Sequence, residues 1–260
     1  MTKLRVLSLF AGIGGFDLGL ERTGGFETVA FCEINPFCQQ ILAKHWPGVR
    51  IYTDVRDLTP QRLEADGVTR VDVITGGFPC QDLSSAGKQA GIDGSRSGLW
   101  SEIVRLAGEL RPSYLIVENV AGLLTGEGGA WFSRVLGDLA ALGYDAEWHC
   151  IPASYVGAPH RRDRVWIVAN AAEVLCDRIS VPSALADQRV DEGFKRLWTY
   201  LRTLKLRSGP PADFSRLREA DGLSSRVDAI AALGNAVVPQ IPELIGRAIL
   251  AAQSSERLAA

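Results

Sequence analysis

The chain has 260 residues, 47% of them apolar and 22% charged, with a formal net charge of -2. These proportions exclude a disordered or fibrous chain and a uniformly basic nucleic-acid coat, and they supply ample core for one large domain or two small ones. No run of about 18 apolar residues marks a membrane span, and the amino-terminal apolar stretch ends in glycines instead of a small-residue cleavage site, so a cytoplasmic protein is expected.

Short apolar, β-branched runs followed by Gly or polar residues predict strands at Leu4–Phe10, Thr28–Cys32, Val49–Tyr52, Val71–Thr75, Tyr114–Val117, Ala146–Ile151 and Val165–Ala169. Apolar residues at three- and four-residue spacing predict helices over Asp17–Arg22, Pro36–His45, Leu99–Leu110 and Trp131–Leu142. Such alternation predicts an α/β fold with a parallel, doubly wound sheet, whose ligands sit outside the carboxyl ends of the strands. After Asn170 the rhythm stops, and it returns in LGNAVVPQIPELIGRAILAA, a turn leading into an apolar helix. The chain therefore divides into a main domain at 1–169, a charged insertion or small lobe at 170–232, and a segment at 233–260 that rejoins the main domain.

The strand ends carry the chemistry. The first ends in FAGIGG, Phe10 to Gly15, where glycines either let the backbone approach a ligand or serve a tight structural turn. The dinucleotide spacing GxGxxG is broken by Asp17. The second ends at Glu33, placed to accept from a ribose diol or to act as a helix-start acid before Pro36. The third ends at Asp54, an acceptor for an adenine amino group or an N-cap for the next turn. Together these three ends favour an adenosine-containing cofactor.

The fourth strand ends in Phe78-Pro79-Cys80-Gln81. None of the cysteines (Cys32, Cys38, Cys80, Cys150, Cys176) forms a CxxC pair, so neither a disulfide framework nor a zinc site is expected. Cys80 is either a buried structural residue or a nucleophile, which needs a cation or helix amino terminus to bring its pKa below about 8.5. The Gly- and Ser-rich tract that follows it to Gly98 has no hydrophobic period and reads as disorder or as a functional closing segment. The fifth strand ends in Glu118-Asn119-Val120, with a carboxylate that stands beside the thiol or caps a helix. Before the seventh comes His160-Arg161-Arg162-Asp163-Arg164, a cationic cluster for a polar substrate or a surface strand edge. From Lys195 to Arg218, basic residues interleave with Trp198, Tyr200 and Phe214, a pattern that suits nucleic acid or a solvated face.

Taken in chain order, FAGIGG, GFPCQ, ENV, the Arg162 and Arg164 pair and GNAVVP resemble the DNA cytosine carbon-5 methyltransferases, over residues 4–169 and again near 233–250. The resemblance implies a Rossmann-like, S-adenosylmethionine-dependent methyltransferase sheet with a small target-recognition region at 170–232. It implies that Phe10, Gly12, Gly14, Glu33, Asp54, Pro79 and Leu99 line the cofactor site, with Asn235 brought back from the carboxyl-terminal segment. Cys80 would be the nucleophile, Glu118 would hold cytosine by ring nitrogen 3 and the exocyclic amine, and Arg162 and Arg164 would contact the base. Gln81, Ser84 and Lys88 would meet DNA as the tract closes over a flipped-out base. Double-stranded DNA is the implied partner of a monomer that needs no metal, in restriction-modification or a related role. Within 170–232, Arg216-Leu217-Arg218-Glu219 is a partial match to the family's arginine-rich helix motif before the final Asn motif, Thr203-Leu204 resembles a Thr-centred dipeptide of its recognition domains, and His160 and Asp163 replace its more usual Gln and Glu. A branch that methylates transfer RNA is disfavoured by the missing Cys-Phe-Thr signature. An NAD-dependent oxidoreductase is disfavoured by the broken glycine pattern, and a catalytically idle DNA-binding relative by the presence of Cys80, Glu118 and Arg162 together.

Overall fold

A computed structural model describes residues 2–78, 97–158, 161–171 and 236–258. Strands β1 (Leu4–Leu9), β2 (Phe26–Cys32), β3 (Arg50–Tyr52), β4 (Val73–Gly76), β5 (Tyr114–Val120), β6 (Tyr144–Pro152) and β7 (Asp163–Ala171) form one seven-stranded sheet in the order β3-β2-β1-β4-β5-β7-β6. Among the described residues the helices are α1 (Gly15–Glu21), α2 (Pro36–His45), α3 (Pro60–Ala65), α4 (Trp100–Leu110), α5 (Ala130–Ala141) and α6 (Gln240–Leu258). Each predicted strand and helix is present. The short α3 was not legible as a period; it starts on its N-cap, where the Thr59 side chain accepts from the Arg62 backbone N–H, with Pro60 in the first turn.

Strands β1 to β5 pair in parallel, as the helices between them require. β7, however, runs antiparallel to both β5 and β6, which corrects the expectation of a parallel sheet throughout. The cause is the connection. Only residues 153–162 join β6 to β7, with a single 3-10 turn over Ala153–Val156, whereas a parallel return needs a crossover of about a dozen residues or more. Reversal of β7 has a functional consequence, because it brings the start of that strand to the rim where β1 to β5 end.

The strands alternate their side chains between two apolar layers. Leu7, Leu9, Ile74, Leu115, Val117 and Ile167 face α3, α4 and α5, and the opposite face (Val6, Val73, Ile116, Trp166) packs on Phe16 and Leu20 of α1 and on Ile241, Ile245 and Ile249 of α6. The close approach of α1 to the carboxyl-terminal segment depends on glycine. A Cβ at Gly15 would overlap the carbonyl oxygen of Val237, and one at Gly19 that of Pro239. Residues 236–239 are thereby held under the first glycine turn.

One polar cluster interrupts this second layer. Asp17 is fully buried in α1, and its carboxylate accepts from Ser8 Oγ at 2.9 Å and Thr28 Oγ1 at 3.1 Å. Burial pushes its carboxyl from 3.8 up to about 7, against the two hydroxyl bonds that pull it down. Between those values the folded chain holds a proton that the unfolded chain releases, so stability falls as pH rises through this window, by an amount on the order of 4 kcal/mol. In Asp17→Asn that contribution is expected to disappear. Urea melts of the variant between about pH 4 and pH 7.5 should show a shallower slope than the parent, with the remainder carried by groups such as Glu147, which burial also raises to about 7, and an unchanged slope would contradict the assignment.

Candidate active site

The carboxyl ends of β1 to β5 and the start of β7 form one rim, and the candidate residues are distributed along it. At the end of β1 the chain turns sharply: Phe10, Gly12 and Gly14 all have left-handed backbones, with φ of 53°, 56° and 82°. Glycine adopts this freely, but at Phe10 it costs about 1–3 kcal/mol, a strain that points to a functional constraint. A Cβ at Gly12 would meet nothing within 4 Å, so there is open space at this point of the turn, whereas one at Gly14 would overlap the Trp46 ring. Glu33 crosses from the end of β2 to tie the turn down. Its Oε2 accepts from the Gly12 N–H at 2.7 Å and its Oε1 from the Asn35 N–H at 2.8 Å. Each carboxylate oxygen keeps a further lone pair, so tying the turn and accepting from a ribose are compatible.

Beside Glu33 stands the apolar Ile34, 68% exposed. Asp54 takes the capping role. It accepts from the Arg56 backbone N–H at 3.0 Å and from the Arg56 guanidinium at 2.9 and 2.5 Å, and these bonds hold its carboxyl below the usual range. Phe10 and Leu99 are both half-buried against the core layer that holds α4.

The middle of the rim is the most constrained part. Gly76 of β4 pairs with Val117 of β5, so the next residue, Gly77, lies against Glu118. A Cβ at Gly77 would come within 3.1 Å of Glu118 Oε2, and only glycine lets the chain pass there without displacing the carboxyl group. The other oxygen, Oε1, receives Arg164 Nε at 2.9 Å. This contact exists because antiparallel β7 sets Trp166 opposite Glu118 and Arg164 opposite Val120. Burial raises the Glu118 pKa, with Arg164 and Arg162 pulling it back, and burial wins. Arg162 is half-buried with an unusual φ of 36°; burial and the nearby Arg164 charge lower its proton affinity, and Glu118 partly restores it. The site therefore combines a carboxyl group biased toward its protonated form with two guanidinium groups, a set able to donate to a ring nitrogen and to bind a carbonyl oxygen.

Among the described cysteines none is poised as a nucleophile. Burial pushes Cys32 and Cys38 up to about 12, and burial with Asp163 nearby raises exposed Cys150. Cys80 lies outside the described residues, as do Pro79, Gln81, Ser84, Lys88, His160, Asn235 and the basic stretch 195–218. Among the described residues no cluster of His, Cys, Asp and Glu is arranged to hold a metal, and no helix is long and apolar enough to cross a membrane.

The sequence profile described as C-5 cytosine-specific DNA methylase matches residues 4–203. The Type II methyltransferase M2.BsuMI of Bacillus subtilis is 38% identical over 174 residues, 65% of this chain and 43% of that protein. The Type II methylase M.HgiEI of Herpetosiphon aurantiacus is 35% identical over 192 residues, 73% of this chain and 43% of that protein. The chain thus spans less than half the length of these relatives. A solved structure of a DNA modification methyltransferase encoded within an E. coli prophage superposes with a TM-score of 0.58 at 26% identity, covering 70% of this chain and 50% of that one.

Proposed function

Because the chain belongs to the C-5 cytosine-specific DNA methylase family, we propose that it transfers a methyl group from S-adenosylmethionine to carbon 5 of a cytosine flipped out of double-stranded DNA, through a covalent adduct on Cys80. The observation that carries this reading is Glu118: a partly buried carboxyl with a raised pKa, held by Arg164, directly beside Gly77, just past the end of β4 on the way to Cys80.

The chemistry follows from the side chains. Carbon 5 of cytosine is too poor a nucleophile to take a methyl group unaided. Addition of the Cys80 thiolate to carbon 6 forms a C–S bond and moves electron density to carbon 5, splitting one hard step into two. Glu118, holding a proton at ring nitrogen 3, stabilises the charge that develops there, and Arg162 and Arg164 orient the base. S-adenosylmethionine, when bound, supplies an electrophilic methyl group. Water then takes the carbon-5 proton, the released electron pair re-forms the carbon 5–carbon 6 double bond, Cys80 leaves as thiolate, and the nitrogen-3 proton returns to Glu118. The left-handed turn at Phe10 to Gly14 with its open space at Gly12, the Glu33 carboxylate and half-buried Leu99 fit a ligand with a ribose and a flat base; Asp54, Pro79 and Asn235 complete the proposed cofactor set, and Gln81, Ser84 and Lys88 the proposed DNA contacts.

The direct test is product analysis. Purified protein with S-adenosylmethionine and duplex DNA is expected to yield 5-methylcytosine on nucleoside mass spectrometry. Methylation of a cytosine exocyclic nitrogen, or transfer to RNA with none to DNA, would overturn the reading.

A further inference from the structure

Among the described residues the rim holds a buried polar side chain, Asn119, that neither the cofactor nor the base reading uses. Asn119 is 1% exposed, on the β5 face that also carries Leu115 and Val117, where an apolar side chain would serve the core equally well. A buried amide is costly unless its bonds are made. Here both are made, and the partners fix which way the amide points. The Val120 backbone N–H donates to Asn119 Oδ1 at 2.8 Å, so Nδ2 is the atom that faces the Phe78 carbonyl oxygen, to which it donates at 3.2 Å.

The place of that bond matters. Ladder pairing between β4 and β5 ends at Gly76 opposite Val117, and Phe78 lies two residues beyond. The Asn119 side chain thus takes over where backbone pairing stops and fixes the Phe78 carbonyl. Covalent geometry carries the constraint onward. In the sequence Phe78 is followed by Pro79 and then Cys80, and a proline leaves few free backbone rotations through which the hold on a fixed carbonyl can be lost. We propose that Asn119 is a positioning residue, which sets the approach of the Cys80 nucleophile by holding the Phe78 carbonyl. The proposal rests on the methyl-transfer reading above.

Asn119→Asp keeps the shape and the acceptor for Val120 but replaces the donor facing Phe78 with an oxygen. Ionised, that oxygen repels the carbonyl; protonated, it donates to it, and burial keeps its pKa high enough for this to occur at mildly acidic pH. The readout is the rate of covalent complex formation on duplex DNA containing 5-fluorocytosine, with S-adenosylmethionine present, beside cofactor affinity by calorimetry and the melting temperature. Asn119→Ala and Asn119→Asp are both expected to slow adduct formation roughly ten- to a hundred-fold at pH 8, the size of a misplacement of about 1 Å, with cofactor affinity within about twofold of the parent. The rate of Asn119→Asp relative to the parent should rise several-fold as pH falls to about 6, a recovery that a purely structural defect would not produce. Adduct formation at the parent rate in a folded variant would overturn the proposal alone, and so would a loss of rate matched by loss of cofactor binding with no pH-dependent recovery. Absence of adduct in the parent would instead overturn the methyl-transfer reading, and the proposal with it. Should Asn119→Asp fail to fold, Asn119→Ala decides on rate against cofactor affinity.

Discussion

Cys80→Ser is expected to abolish methyl transfer while leaving S-adenosylmethionine affinity close to that of the parent. A serine hydroxyl does not ionise near neutral pH, and without a thiolate the carbon-6 addition that activates carbon 5 is lost. The expected fall in turnover is on the order of 10³-fold or more, the scale seen when a covalent nucleophile is removed. No described cysteine is placed to substitute, since Cys32 and Cys38 are buried thiols pushed up to about 12. Incorporation of labelled methyl into DNA checks the first half of the expectation and calorimetric titration the second. Undiminished turnover would remove Cys80 from its role.

Glu118→Ala should be nearly as damaging, with a loss of about 10² to 10⁴ in kcat, the usual range for a positioned proton donor. Glu118→Gln retains a hydrogen-bonding amide but no transferable proton, and should fall between the two. The parent has a matching pH signature. Burial raises the Glu118 pKa, so the useful protonated form is present below that raised value and is lost as pH rises through it, giving an alkaline decline in kcat. Both variants also remove the carboxylate that pairs with Arg164 at 2.9 Å, and taking away the partner of a partly buried charge destabilises. A lower melting temperature should accompany the kinetic loss, and adduct formation at saturating DNA and cofactor separates the two effects. A parent profile without that alkaline limb, together with full activity in Glu118→Gln, would contradict the assignment.

Much of the fold was legible because buried parallel strands are short apolar runs and the helices between them are amphipathic. Strand direction was not legible in the same way. Val165–Ala169 reads identically whichever way it runs, and only the short link from Pro152 to Asp163 held the clue that β7 turns back. That reversal decides the site, because a parallel β7 would have carried Arg162 and Arg164 to the far end of the sheet from Glu118. Glu33 and Glu118 stood out as candidates from their place at strand ends, whereas their partners, the Gly12 N–H and the Arg164 guanidinium, come from register and turn geometry that no local pattern encodes. Asp17 was visible only as a break in a glycine motif; its burial between Ser8 and Thr28 depends on three elements meeting. Asn119 looked like a companion of Glu118 in ENV, and its bond to Phe78 emerges only when β4 and β5 lie side by side.

The central claim, a covalent bond between Cys80 and carbon 6 of cytosine, is tested most directly with duplex DNA carrying 5-fluorocytosine, whose fluorine cannot leave as the carbon-5 proton does. The account predicts a denaturant-resistant protein–DNA complex that forms only with S-adenosylmethionine present and is linked, on peptide mass analysis, through Cys80. Turnover of ordinary DNA without any such complex, or a link through a different residue, would contradict it.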